Sequence, residues 1–312
     1  MEFPTSLKNA LNEYANQCSL ADLKKAAQSV SEVYRDTKRS GQPLISNDME
    51  VMAYALSRMP ATFAAVSNIL DKIDQCQTML DIGAGTGAAT WAALEMGKAK
   101  TAICLEKEDK MRTLGSDLMK TEYPSVVWRA FDLKTDTLRQ KAELIVSSYV
   151  LNELNKEDQL KAAEKLWQGS EKFLVIIEPG TPVGFEIINR VRSYLIVQGA
   201  FVVAPCPHNK NCPLSKGDWC HFTCRLARSQ IHKILKGGEA AYEDEKFSYI
   251  ILSRKPINIA FARILRHPDI EKGNIGLQLC TRDGLQSKTI TRKDKQLFKA
   301  ARKSNAGDEW NE

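Results

Sequence analysis

Two sets of side chains in this sequence are spaced for binding chemistry, and they differ in kind. The first is the run Asp81-Ile82-Gly83-Ala84-Gly85-Thr86-Gly87, led in by the apolar Thr78-Met79-Leu80. Glycines at 83, 85 and 87 let the chain turn tightly and bring its backbone against a ligand between a strand end and a helix start. An acid that accepts from ribose hydroxyls belongs about 20 residues further on, at the end of the next strand. Glu106 stands there, closing Thr101-Ala-Ile-Cys-Leu-Glu106. A third acid, Asp132, ends Val127-Trp-Arg-Ala-Phe-Asp132, where an adenine amino group would lie. A lone G-x-G-x-G is weak. With a leading acid and two further acids at successive strand ends, it specifies an adenosine-type ligand.

The second set is thiols. Cys206, Cys212, Cys220 and Cys224 fall within 19 residues of a stretch that also holds Pro207, Pro213 and Gly217. Loops of this kind gather soft ligands around Zn²⁺ or an iron–sulfur cluster. Gaps of five and then seven residues fit no common zinc ribbon, where two-residue gaps prevail. His208 and His221 are further candidate ligands, and four thiolates suit either metal, so spacing leaves both open. Cys18, Cys76 and Cys104 read as packing residues.

These groups need elements to hold them. Residues 1 to about 75 read as helices. Ser46-Asn47-Asp48 is a helix cap, and Pro60 splits the apolar pattern that follows it. Strands are expected at 78–82, 101–105, 126–131, 144–149 and 173–177, with helices between them, including 156–167 and 186–198. That alternation predicts a mostly parallel, seven-stranded sheet covered on both faces, a Rossmann-like α/β fold. Further strands are expected at 201–204 and 247–252, with the Cys-rich stretch 205–237 inserted between them. The expected division is a helical region over 1–75, a sheet domain over 76–254 and a basic, β-containing segment over 255–312.

The chain has 312 residues, 43% hydrophobic and 26% charged, ordinary for a globular protein that needs no disulfides. Its apolar runs are strand-sized, so no membrane span is expected. The start, MEFPTSLKNALNEYANQ, lacks the layout of a signal or transit peptide, which predicts a cytoplasmic protein with reduced thiols. Charge is unevenly placed. Residues 254–303 hold thirteen Lys/Arg against four Asp/Glu, a net of +9 within a chain of net +6. Residues 206–236 add a net of +5. Two basic blocks on a mildly acidic body suggest a polyanionic partner, nucleic acid first among them.

The nucleotide run resembles that of class I S-adenosylmethionine-dependent methyltransferases, over about residues 76–254. Ala88 would also satisfy the sixth position of a nicotinamide fingerprint, but Asp81 and Gly87 favour the methyl donor. By that resemblance Asp81, Gly83, Ala84, Gly85, Gly87, Glu106, Asp132 and Asn152 are the donor-binding residues. On the acceptor side, Ser147-Ser148-Tyr149-Val150-Leu151-Asn152-Glu153 is not the Asp/Asn-Pro-Pro-Tyr element that grips an exocyclic base nitrogen. Nor does a cysteine end strand four or five, as carbon-5 methylation of pyrimidines requires. Asn152, Glu153 and Glu178 are the nearest polar groups. The sequence names no catalytic residue and leaves open whether the protein is an enzyme.

Longer runs narrow the resemblance. CPHNKNCPL, DWCHF, RLARSQIHKILKGG, YEDEKFSYIILSR, YALSRMPATFAAV, IIEPGTPVGFEIINRVR and LCTRDG together resemble the Rsm-type methyltransferase-like family of the small ribosomal subunit, over about residues 45–310. The resemblance implies a [4Fe–4S] cluster on Cys206, Cys212, Cys220 and the distant Cys280, with Cys224 as an extra thiol. It also implies ribosomal RNA or the small ribosomal subunit as partner, and action as an rRNA methyltransferase or assembly factor. The competing expectation is a small-molecule or protein methyltransferase with a structural Zn²⁺ site.

Overall fold

The computed structural model describes residues 2–35, 45 and 47–311; Ser46 of the expected cap lies outside them. The chain gathers into two compact units, Met1–Glu171 with Cys224–Glu245, and Lys172–Thr223 with Lys246–Glu312.

The first unit opens with four helices, α1 (Thr5–Asn16), α2 (Leu20–Arg35), α3 (Asp48–Ser57) and α4 (Met59–Leu70). Asn47 caps α3 by accepting from the Glu50 N–H at 2.9 Å, and Asp48 and Glu50 sit in the first turn, where the helix dipole favours acids. Pro60 falls in the first turn of α4, where its missing N–H leaves no intrahelical bond unmade. Alternation then follows: β1 (Thr78–Ile82), α5 (Ala88–Glu95), β2 (Thr101–Glu106), α6 (Asp109–Met119), β3 (Val127–Ala130), β4 (Ala142–Ser148), a 3-10 turn (Leu151–Glu153) and α7 (Lys156–Gly169).

The strands lie in the order β3-β2-β1-β4, all parallel. Winding reverses between β1 and β4, and the loops leaving these two strands diverge into a crevice. Register brings the strand ends level. Ile82 pairs with Leu105 and Ser147, and Glu106 with Ala130. The glycine run, Glu106, Asp132 and the turn after β4 therefore emerge at one edge of the sheet. Met79 to Ile82 are buried on both faces, which is why β1 reads as an unbroken apolar run around one acid.

The second unit is built on β5 (Ser170–Pro179), α8 (Pro182–Val197) and β6 (Phe201–Ala204). After the cysteine loops, β7 (Phe222–Ala227) takes the chain into the segment Cys224–Glu245 of the first unit, which holds α9 (Gln230–Lys236), and β8 (Tyr242–Ser253) runs on into the second. β8 runs antiparallel to both β5 and β6. Within the stretch 205–237, residues 205–221 lack regular structure, whereas Phe222–Ala227 is a strand and Gln230–Lys236 a helix. Ser229 caps α9 by accepting from the His232 N–H, and Gly237 ends it with a left-handed φ of 64°.

The C-terminal portion is an antiparallel sheet of β9 (Ala262–Ile264), β10 (Asp269–Ile270), β11 (Asn274–Thr281), β12 (Gly284–Thr291) and, after α10 (Lys295–Lys303), β13 (Glu309–Trp310). Ile264, Ile275, Leu277, Leu279, Ile290 and Trp310 form its core, and Leu297 and Phe298 of α10 pack on it. The opposite face of α10 exposes Lys295, Lys299, Arg302 and Lys303. Among the described residues no helix is long and apolar enough to cross a membrane.

Candidate functional site

The loop after β1 is built from three glycines with φ of 67° at Gly83, 56° at Gly85 and 87° at Gly87. Two of them have no room for a side chain. A Cβ on Gly83 would lie 2.4 Å from Val150, in the turn after β4, and one on Gly87 would lie 2.4 Å from Met119. Gly87 is the N-cap residue of α5, so the unpaired N–H groups of that helix start lie at the loop. Ala84, between the first two glycines, is buried.

Asp81 is fully buried beneath this loop. Its Oδ2 accepts from the Thr90 N–H at 3.1 Å and the Thr90 hydroxyl at 2.9 Å, tying β1 to α5, while its Oδ1 is buried without a partner. Burial lifts its pKa to about 7 against the pull of the Thr90 hydrogen bonds. Glu106 folds back on the loop, with Oε2 accepting from the Gly85 N–H and Oε1 from the Glu108 N–H, both at 2.8 Å. Burial raises its pKa as well. At Asp132 burial opposes ionisation, but the Lys134 N–H at 2.9 Å and the Lys107 ammonium at 3.2 Å outweigh it and hold the carboxyl below its usual range.

Asn152 and Glu153 lie on the exposed 3-10 turn after β4. Glu153 keeps solvent-accessible surface on this turn. Desolvation, and then repulsion from Glu106 and Glu108, pushes it up to about 8. Just before this turn, Tyr149 holds a φ of 62°, the only described residue other than glycine with positive φ. Its hydroxyl donates to Glu245 Oε1 at 3.0 Å. Backbone strain of this sort collects at binding sites, and the sequence marked the segment but not this residue. Glu178, in the second unit, is fully buried on β5 opposite Ser248.

A separate cavity lies within the second unit. Cys206, Cys212, Cys220 and Cys280 all line it, together with Arg192 and Arg263. Cys224 is not among its walls. That thiol sits on β7, where burial, and then the Glu245 carboxylate, pushes it up to about 12. Cys280 is pushed up to about 12 by burial and then by the neighbouring Cys206 and Cys212, and Cys220 is raised by burial and by the other three thiols. No disulfide joins any of the eight cysteines. Among the described residues, no three His, Cys, Asp or Glu groups are arranged to hold a metal ion as they stand.

Buried polar groups fix each thiol. Arg192, on α8 and 2% exposed, donates from Nη2 to the carbonyls of His208 and Lys210, each at 2.8 Å, and so shapes the loop between Cys206 and Cys212. The Cys220 carbonyl accepts from the Ser248 hydroxyl at 2.8 Å, and Trp219 Nε1 donates to the Gly180 carbonyl at 3.1 Å. Cys280 lies on β11 opposite Arg263 of β9, with His208 Nε2 3.6 Å from its sulfur.

Arg263 is 1% exposed and donates to the Pro205 carbonyl at 2.8 Å and the Gly307 carbonyl at 3.0 Å, with Glu309 at 3.4 Å. It thus joins the residue before Cys206 to the C-terminal strands. Replacing it by methionine leaves two carbonyls and a carboxylate short of donors. The expected cost is about 3 kcal/mol, read as a fall of roughly 6–12 °C in melting temperature by calorimetry. The sequence reading missed both arginines. The signal was present: Arg192 lies on the apolar face of α8 with Ile188, Val191 and Leu195, and Arg263 stands inside the apolar strand Ala262–Ile264.

A parallel sheet with a glycine loop at its switch point, and acids at the ends of β2 and β3, defines a class I S-adenosylmethionine methyltransferase-type α/β protein, here with a second, thiol-lined cavity. The chain belongs to the family described as Mitochondrial small ribosomal subunit Rsm22, which matches residues 48–311. The human mitochondrial ribosome assembly protein METTL17 is 29% identical over 305 residues, covering 88% of this chain and 65% of the human protein. The mitochondrial ribosome assembly protein RSM22 of Saccharomyces cerevisiae is 25% identical over 240 residues, 44% of this chain and 38% of the yeast protein. The chain thus spans less than two thirds of the length of these relatives. Among solved structures, N-methyltransferase NodS from Bradyrhizobium japonicum, in complex with S-adenosyl-L-homocysteine, is 11% identical with a TM-score of 0.44, over 73% of this chain and 99% of that one.

Proposed function

We propose that this chain is a methyltransferase-like assembly factor of the small ribosomal subunit that binds S-adenosylmethionine in its crevice and a [4Fe–4S] cluster in its cysteine cavity. The carrying observation is that the fold brings Cys280 to Cys206, Cys212 and Cys220 and leaves Cys224 outside. Spacing alone would have grouped the thiols differently. Four thiols around a common void suit a cube of iron and sulfide, and two buried guanidiniums beside them suit its negative charge. When bound, the cluster cross-links the cysteine loops to β11. A reducing compartment such as the cytoplasm is part of the same proposal, since thiols that bind a cluster must stay reduced.

The crevice fits the donor on its own terms. Gly83, Ala84, Gly85 and Gly87 let the ligand approach the backbone, and the unpartnered Asp81 Oδ1 is an acceptor for an amino group. Glu106 is placed for ribose hydroxyls, Asp132 for the adenine amino group, and Asn152 lines the turn beyond. When bound, S-adenosylmethionine offers an electrophilic methyl group on a cationic sulfur. Glu153 gives this a pH signature. Its carboxyl is largely protonated at pH 7 in the free protein, with a pKa of about 8, and a neighbouring cation favours its ionised form. Affinity for S-adenosylmethionine should therefore rise between pH 7 and 9 with proton uptake by buffer, measured by calorimetry in two buffers. A Glu153→Gln variant should lose that slope.

The partner reading rests on charge. Arg292, Lys293, Lys295, Lys299, Arg302 and Lys303 are all exposed on or beside α10. Reversing Lys299, Arg302 and Lys303 to glutamate should weaken binding to isolated small ribosomal subunits at least about tenfold and flatten its salt dependence. Sedimentation with purified subunits at several salt concentrations reads both. Unchanged affinity and slope would remove α10 from the interface. A wild-type protein that never sediments with small subunits would overturn the assignment.

A further inference from the structure

Arg192 has a buried N–H group that nothing in the protein uses. Its Nη2 makes every hydrogen bond recorded for the side chain, to the His208 and Lys210 carbonyls at 2.8 Å and near His208 Nδ1 at 3.4 Å. Its Nε is buried and has no partner, although the residue is 2% exposed. A buried guanidinium N–H left unpaired is costly, and natural proteins retain that cost where a ligand supplies the acceptor. The residue lines the cavity that holds Cys206, Cys212, Cys220 and Cys280.

Arg263 lines the same cavity and is equally buried, but its donors go to Pro205, Gly307 and Glu309. Two arginines of the same type therefore differ in one respect. Arg263 is consumed by the protein and has an acid beside it, whereas Arg192 keeps a donor and a charge in reserve.

We propose that Arg192 presents its free Nε–H and its positive charge to the group held by the four cysteines, and so sets that group's reduction potential as well as the shape of the Cys206–Cys212 loop. The inference rests on the cluster reading given above and adds to it a residue outside the thiol set. A four-iron cluster with four thiolates carries a net charge of about −2, and taking up one electron deepens it. A cation and an N–H donor beside it stabilise the reduced form more than the oxidised one, and their removal lowers the potential.

The test uses anaerobically purified full-length protein, with dithionite as the electron donor in a dye-mediated titration. Arg192→Met, Arg192→Lys and Arg263→Lys are compared with wild type. Iron content is measured on each, and pulsed electron paramagnetic resonance of the reduced state reads exchangeable protons coupled to the iron. Lysine at 192 can still donate to the loop carbonyls, so that variant separates the role of Nε from simple collapse of the loop. The expected results are a lower potential in Arg192→Met, a smaller fall in Arg192→Lys, and loss of one exchangeable-proton coupling in both. Arg263→Lys should keep the wild-type potential and coupling while melting earlier. Wild-type potential and coupling in Arg192→Met would overturn the proposal, as would loss of iron from Arg192→Lys, which would make Arg192 a scaffold only. Absence of iron from wild type would overturn the cluster reading beneath it.

Discussion

Cys280→Ser is expected to strip most of the iron from the protein and to loosen the C-terminal sheet. Cys280 is the one thiol of the four that comes from outside residues 206–220, and it sits on β11, hydrogen-bonded between β9 and β12. The sheet's own core is small, with eight buried residues. The proposed cluster would cross-link β11 to the cysteine loops and so supply a large share of its stability, because binding energy at such a site is also folding energy. Amide exchange over residues 262–281 should accelerate by about 100-fold, equivalent to about 2.7 kcal/mol of lost protection, while β1, β2 and β4 keep theirs. Cys224→Ser should change neither iron content nor exchange in that sheet. Iron analysis with exchange mass spectrometry on the two variants reads both effects.

The second large effect is expected at Gly83. Alanine there meets two obstacles. A φ of 67° costs an L-residue about 1–2 kcal/mol, and its Cβ would stand 2.4 Å from Val150 Cγ2. Val150 lies in the turn that carries Asn152 and Glu153, so relieving the clash moves both walls of the crevice. Gly97 supplies the control, with a φ of 63° and nothing within 4 Å of a Cβ. Gly83→Ala should lose at least about 100-fold in affinity for S-adenosylmethionine, about 2.7 kcal/mol, while Gly97→Ala stays within about twofold. Both should melt a few degrees early. Equal affinities in the two variants would place the donor elsewhere.

The glycine loop and the strands around it were legible because they are local. β1 spans Thr78–Ile82 as the apolar run predicts, and Glu106 and Asp132 close or follow their strands as expected. Parallel strands buried on both faces carry that much in their apolar pattern. What escaped was structure whose pattern is weak or overwritten. β12 has a single fully buried side chain, Ile290, so its alternation does not show. β7 places Phe222 and Leu226 inward within a stretch dominated by cysteine and basic residues, and α9 announces itself only by Ser229 and Gly237 at its ends. β9 is only the three residues Ala262–Ile264, with Ile257 and Phe261 left exposed before it. That Cys280 rather than Cys224 lines the thiol cavity was beyond spacing altogether, because it depends on the pairing of β11 with β9, a long-range property.

The reading of the cysteine cavity meets its most direct test in metal analysis of wild type and Cys224→Ser after anaerobic purification. The proposed cluster predicts a brown protein with about four irons, about four acid-labile sulfides and negligible zinc, unchanged by Cys224→Ser. One zinc per chain, no iron, and loss of the metal on Cys224→Ser would contradict it and point to a methyltransferase with a structural zinc site.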